Sequence, residues 1–539
     1  MSRLIVVACL LALASPAFAA PAPLLAGDGI ATTSTSAGQV QGFVDDGITT
    51  FRGIPYASAE RFEPAHEVAP WPGKRLSLNY GNICPQPVSA NYNELQTFVS
   101  DTSYWPQSDK CLNLNVWTPA LDGKKRPVMV WLHGGGYFAG SSHENAVYDG
   151  HNLSESGDVV VISVNHRLNI MGFLDLSAYG EAYKGSANLG ISDLVQALRW
   201  VRANAAAFGG DPDNVTIFGQ SGGGGKVQAL MTTPYARGLF QKAIIESGAS
   251  GPGVAPREGD QTIARRVAQM VFAKAGLKEG DIAGLKALPY EALNAAGDKA
   301  LREVSAELEP GRAGLLGFPL VNWGPIVDHD FLPENPFAKG APAASKGIPL
   351  IVGSTLNEFQ LIGAPDWKTW DKARAEAEAA KRFGPNAAAV KAAFAKAYPG
   401  MPLAETLTVD LMFRSGALRV ANAKAAAGDK VWNYLFAWKS PILDGAWAAG
   451  HSMEIAFVFN NVAAGRQSTA GGSDVARLSA EMSKAWVNFA RTGNPNGPGV
   501  TAWEDFTARQ PATMLFGIRS GIKIGHDADL LSLSMPHNP

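Results

Sequence analysis

A serine hydroxyl becomes a nucleophile when a base takes its proton and a carboxylate holds that base in place. One serine in this chain sits in a context built for such chemistry. Residues 214–231 read NVTIFGQSGGGGKVQALM. Asn214 to Phe218 is a β-branched, apolar run behind Asp211-Pro212, which predicts a buried strand. Lys226 to Met231 predicts a helix. Between them, Gly219-Gln220-Ser221-Gly222-Gly223 forms a G-x-S-x-G pattern, and strand, tight turn and helix make that pattern a nucleophile elbow. A serine at such an apex holds strained backbone angles, and glycines at 219 and 223 omit the Cβ atoms that would collide there. The helix behind it aims its free N–H groups at developing negative charge. Each of the four glycines from Gly222 to Gly225 costs about 1 kcal/mol against alanine inside a helix. A run so unfavourable locally implies close backbone approach.

On an elbow fold the acid and then the histidine follow the serine along the chain. The histidines downstream are His329, His451, His526 and His537. His537 lies in the terminal tail. His451 follows Gly450 at the mouth of an apolar run, GHSMEIAFVF, and is the expected base. The acid belongs just past a strand end. Ile348 to Val352 predicts a strand, and GSTLNEF after it presents Glu358. Asp328 is its rival, and spacing alone does not separate the two. An acyl-transfer intermediate also needs preorganised N–H donors. His133-Gly134-Gly135-Gly136 follows the predicted strand Arg126 to Leu132, so the N–H groups of Gly135, Gly136 and Gly222 form the expected oxyanion hole.

The elements that must carry these residues alternate. Predicted strands at 158–164, 214–218, 241–246, 348–352, 431–438 and 513–516 are separated by helical stretches such as 194–208. That order predicts an α/β fold with a mostly parallel sheet and helices on both faces. Gln39 to Phe51 predicts a hairpin, and Asn82 to Asp122 a long loop. Two Ala-rich helical stretches, near 261–301 and 367–398, interrupt the strands as insertions.

With 539 residues, 46% hydrophobic and 17% charged, the chain can bury a large core. A net charge of −2 leaves no basic footprint for nucleic acid. Arg3, the apolar run Leu4 to Ala14 and Ala17-Phe18-Ala19 read as a signal peptide cut after Ala19. The apolar run is too short to span a bilayer. A secreted or periplasmic domain over 20–539 is therefore expected. Export leaves Cys84 and Cys111, an even pair that predicts a disulfide. No Cys/His cluster has metal-ligand spacing, so no metal or other cofactor is expected.

The chain resembles the type-B carboxylesterases, which include the cholinesterases, in a bacterial branch with a GQSGGG elbow. The resemblance rests on FRGIPYA from Phe51, CLNLNVWTP from Cys111, WLHGGGYFAG from Trp131, VNHRLNIMGFL from Val164, the stretch from Asn188 through the elbow, GPIVDHDFLP from Gly324, GSTLNEF, and AWVNFARTGNPN from Ala485. It implies an α/β-hydrolase fold and a Ser221, Glu358, His451 triad. It also places the family's early disulfide on Cys84 and Cys111. A small-molecule ester and water are the implied substrates, and the aromatics Trp105, Tyr137, Phe138 and Phe359 are candidates to line the gorge. An interfacial lipase and an inactive cholinesterase-like interaction domain are the competing readings; Ser221 counts against the second. Gln220 and Gly222 stand where the family often has Glu and Ala. Asp109-Lys110 replaces its acidic pair, leaving Asp109 as the expected partner of Arg52. His329 stands at a position where the family commonly has glycine.

Overall fold

The computed structural model describes residues 22–87, 98–99, 102–103, 105–249, 260–310, 320–359 and 366–534. The predicted signal peptide lies outside them. Three short strands come first: β1 (Thr32–Thr35), β2 (Gly38–Gln41) and β3 (Phe43–Asp45). β4 (Ile48–Pro55), β5 (Lys74–Leu76), β6 (Asn113–Thr118), β7 (Arg126–Leu132) and β8 (Val160–Val164) follow. Then come β9 (Gly210–Gln220), β10 (Lys242–Glu246), β11 (Leu350–Thr355), β12 (Val431–Phe436), β13 (Ala512–Phe516) and β14 (Gly521–Ile524). Eleven of these form one sheet in the order β14-β13-β12-β11-β10-β9-β7-β8-β6-β4-β3. From β8 to β13 every neighbouring pair is parallel. The edges are antiparallel: β3–β4 is the predicted hairpin, and β14 closes the far side.

Successive strand side chains point to opposite faces, and the core divides accordingly. On β7, Val128, Val130 and Leu132 join one cluster, with Ile217 of β9, Ile245 of β10 and Val352 of β11. Met129 and Trp131 join the other, with Phe218, Ile244 and Ile351. Helices cover both faces, as expected for strands buried on each side. The helix Leu189–Asn204 packs on the first face through Ile191, Leu194, Leu198 and Val201. The helix Ser473–Thr492 packs on the second through Val475, Leu478, Met482, Trp486 and Phe489, a stripe at helical spacing. It stops at Gly493, whose φ of 78° continues the chain where a side chain would be strained.

The stretches near 261–301 and 367–398 carry the helices Asp260–Lys274, Ile282–Ala287 and Tyr290–Leu308, then Lys372–Phe383 and Ala387–Ala397. The reading of 82–122 as loop misses β6, a fully buried strand. Its pattern is masked by asparagines that are buried because they are bonded. Asn115 donates to the hydroxyls of Ser142 and Ser163, and Asn113 to the carbonyls of Asn82 and Cys111. Cys84 and Cys111 are bridged, with Cα atoms 4.9 Å apart. Among the described residues no helix is long and apolar enough to cross a membrane.

Candidate active site

Four adjacent parallel strands end at one place. β7 leads into the 133–136 loop, β9 into Ser221, β10 into Ser247 and β11 into Glu358. The crevice beyond the carboxyl ends of parallel strands is where open α/β sheets place their ligands.

Ser221 has φ 59° and ψ −126°, a conformation that costs a residue with a side chain on the order of 1–3 kcal/mol. Its surroundings hold it there. Its N–H donates to the Glu246 carbonyl at 2.8 Å, and its own carbonyl accepts from the Gly225 N–H at 3.1 Å. The glycine run is explained by close approach. A Cβ at Gly219 would lie 2.6 Å from the Leu132 carbonyl oxygen, and one at Gly223 would meet the same oxygen. At Gly222 it would strike the Gly136 carbonyl, and at Gly225 the Tyr137 hydroxyl at 2.5 Å. The elbow helix, Gly222–Thr232, is thus pressed directly against the 133–136 loop. Gly135 and Gly136 both have positive φ, 76° and 62°, which turns the loop over the start of that helix.

Glu358 and His451 are joined twice. The His451 N–H donates to the Glu358 carbonyl at 3.2 Å. His451 Nδ1 bonds Glu358 Oε2, and Oε1 accepts from the Thr355 N–H at 2.8 Å. Asn357 braces both loops, since its N–H donates to the Ala449 carbonyl and its side-chain oxygen accepts from the Ala449 N–H. On its far side His451 Nε2 faces the Gln220 amide nitrogen at 3.4 Å, and the Gln220 oxygen accepts from Ser452 Oγ at 2.9 Å. Burial lowers the imidazole from its ordinary 6.5 to about 3, so the ring is neutral at pH 7. With Nδ1–H given to Glu358, the Nε2 lone pair is the acceptor on the side of Gln220.

A group of carboxylates lies behind the pair. Burial raises Glu246 and Glu454 to about 8 and Asp410 to about 7. Trp486 Nε1 donates to Glu246 at 2.7 Å. The Ser247 hydroxyl donates to Glu454 at 3.1 Å and is near enough to Glu358 to favour its charged form. Burial pushes Glu358 upward too, opposed by the donors from Ser247 and Thr355. The four carboxyls are thus all raised by burial, Glu358 to about 8 as well, and of them it is Glu358 that bonds the His451 ring.

Asp328, the rival acid, is occupied elsewhere. It accepts from Asn188 Nδ2 and from the N–H groups of Asp330 and Leu332. His329 beside it has φ 62°, the backbone conformation for which glycine is the ordinary choice. Arg52 does not pair with Asp109. It lies over the Tyr80 ring at 4.4 Å and reaches Asp149 at 3.9 Å, while Asp109 pairs with Arg61 at 2.6 Å. Arg61 is fixed at that spot by the Leu288 carbonyl.

Of the four aromatics read as gorge candidates, Phe359 stands with its ring 3.9 Å from that of His451. Phe138 covers Gly136, and Tyr137 packs against Phe173 and over Gly225. Trp105 packs edge-on with Tyr80 and His143. Phe413, 5.5 Å from His451, carried no sequence signal, since it lies in an ordinary amphipathic helix, Met412–Ala426. Ser247 and Glu454 were also missed. Their nearness to a strand end and to His451 was the available clue.

Sequence and structure comparisons find relatives along nearly the whole chain. The carboxylesterase family matches residues 29–526. The chain is 36% identical to the para-nitrobenzyl esterase of Bacillus subtilis (strain 168), covering 92% of this chain and 96% of that one. It is 32% identical to the human cocaine esterase, over 88% of this chain and 85% of that one. Among solved structures, an esterase of Clostridium hathewayi that can hydrolyze aliphatic aromatic polyesters superposes with a TM-score of 0.85 at 39% identity, covering 95% of this chain and 99% of that one. With the α/β-hydrolase architecture and a match across nearly its whole length, the chain belongs to the carboxylesterase family and is a carboxylic ester hydrolase.

Proposed function

We propose that the protein is an exported serine esterase that works through an acyl-enzyme. The observation that carries this reading is the His451–Glu358 pair, with Nε2 facing Gln220, the residue that precedes the strained Ser221. In the first half-reaction Ser221 Oγ attacks the ester carbonyl while His451 Nε2 takes its proton. The N–H groups of Gly135, Gly136 and Gly222 receive the oxyanion. His451 then gives the proton to the leaving alcohol as the C–O bond breaks. In the second half, water attacks the acyl group by the same route and Ser221 is released. Glu358 keeps the imidazole in the Nδ1–H tautomer and stabilises it when it becomes charged.

The leaving alcohol must lie against His451 to be protonated, and the rings beside His451 are Phe359 and Phe413. The preferred leaving group is therefore apolar, an aryl or alkyl alcohol. Export, with the leader cut near Ala19, is supported by the Cys84–Cys111 bridge, which an oxidising compartment maintains. Ser221→Ala is the test. The purified variant should stay folded and lose turnover of a p-nitrophenyl ester by about 10⁶ in kcat. Near wild-type turnover would overturn the mechanism. A jump in rate above the substrate's solubility limit would instead favour the interfacial lipase.

A further inference from the structure

Lys226 is a lysine with no exposure to solvent, one helical turn past the elbow. Burying an ammonium is unfavourable unless its surroundings use all its donors. Its Nζ donates to the carbonyl of His133 at 2.8 Å and to that of Gly134 at 3.4 Å. Both belong to the loop that carries the oxyanion donors. His133 Nδ1 also lies 3.0 Å from the Gly134 oxygen.

A peptide unit is rigid and planar, so the carbonyl of one residue and the N–H of the next point in opposite directions from a single plate. Fixing the oxygen therefore fixes the N–H. Each of the three expected donors has its plate held this way. The Gly222 N–H shares a plate with the Ser221 carbonyl, which the Gly225 N–H binds. The Gly136 N–H shares one with the Gly135 carbonyl, which the N–H groups of Phe138 and Ala139 bind. The Gly135 N–H shares one with the Gly134 carbonyl, and there the anchors are His133 Nδ1 at 3.0 Å and the Lys226 ammonium at 3.4 Å.

We propose that Lys226 is a positioning residue of the oxyanion hole: it holds the Gly134–Gly135 peptide from behind and polarises it, so that the Gly135 N–H is aimed and strengthened as a donor. A cation at the carbonyl end draws electron density from the amide and raises the positive charge on its hydrogen, an effect that a low-dielectric interior enlarges. Burial lowers Lys226 to about 7 against the pull of Glu144, which burial raises to about 7, and His133 and His166 are pushed down by burial and by Lys226. The inference rests on the esterase reading above, because it assumes that the Gly135 N–H meets the oxyanion.

The test compares Lys226→Met, which keeps the length and removes the charge, with Lys226→Gln, which keeps a neutral donor. Three quantities are measured: kcat and KM on p-nitrophenyl butyrate, and Ki for an alkyl trifluoromethyl ketone, whose hemiketal oxyanion needs the hole. Outright removal of an oxyanion donor lowers kcat by about 10² to 10³, so weakening one in place should lower it by about tenfold to a hundredfold. In Lys226→Met, kcat should fall by that factor, Ki should rise in proportion, and KM should stay near its original value. Lys226→Gln should recover part of both losses. A lysine that only fills space would leave Ki and kcat alone once the variant is folded. Folded Lys226→Met with unchanged kcat and Ki overturns the proposal, as does a rise confined to KM. Should the Met variant fail to fold, Lys226→Gln is judged by the same quantities. An inactive Ser221→Ala beside a fully active Lys226→Met would defeat this inference and leave the esterase reading intact.

Discussion

Removing the Cys84–Cys111 bridge tests how far the loop region supports the site. The cysteines are 27 residues apart in sequence and both are buried. Freeing a loop of that length in the unfolded chain gives a chain-entropy loss of stability of about 3.5 kcal/mol. An unfolding entropy of about 2.1 cal/mol/K per residue amounts to roughly 1.1 kcal/mol/K for a chain this size melting as one unit. The melting temperature should therefore fall by about 3 °C, as the ratio of the two. The local effect should be larger than that number implies. Gln86, two residues past Cys84, grips Gly140 with both ends of its amide, at 2.7 and 3.0 Å. Pro85 is held by Asn169 at 2.8 Å. Gly140 closes the segment that begins with the oxyanion loop, so loosening Gln86 should reach the site before the protein melts. The assay is calorimetry and p-nitrophenyl ester kinetics on the mature protein with and without reductant, checked by Cys84→Ser. A raised KM with a smaller fall in kcat is expected below the melting transition. An unchanged melting temperature, or Cys84 and Cys111 titrating as free thiols in the denatured, unreduced protein, would refute the reasoning.

Three further outcomes follow from the site. Glu358→Gln should fold and lose about 10⁴ in kcat, because a neutral amide cannot hold the imidazolium, whereas Asp328→Asn should change kcat little; the reverse ranking would misplace the acid. The acid limb of kcat/KM should fall well below 6.5, since burial takes His451 to about 3, and a limb at 6.5 or above would contradict a buried neutral base. Glu246 is raised from 4.5 to about 8, so across that window the native state keeps a proton that the unfolded chain releases. Its contribution is full below 4.5 and is lost as pH rises through about 8. Glu246→Gln should flatten the decline of the melting temperature between pH 4.5 and about 8, and parallel declines in both proteins across that window would argue against a protonated Glu246.

The elbow was legible because its requirements are local. Strained Ser221 needs glycines around it, and a glycine run inside a helix has few other uses. The alternation of strands and helices was legible for the same reason, from β7 through β13. What stayed hidden depends on partners far along the chain. β6 reads as loop because Asn113 and Asn115 look exposed until Ser142, Ser163 and Asn82 are seen to bond them. Arg52 sits near Asp109 in the family pattern, yet the Tyr80 ring and Asp149 take it. Phe413 reaches His451 from a helix whose sequence speaks only of packing. The choice between Glu358 and Asp328 was open in spacing, and the reading of Glu358 as the acid is supported by its bond to His451 Nδ1.

Trapping the acyl-enzyme tests the central claim most directly. A p-nitrophenyl ester is mixed with enzyme, turnover is quenched in acid during the first cycle, and the protein is digested and weighed. The account predicts an initial burst of p-nitrophenol equal to the enzyme concentration. It also predicts the acyl mass on the peptide that contains Ser221, with both signals absent in Ser221→Ala. Hydrolysis with no adduct, or an adduct carried by Ser247 instead, would contradict it.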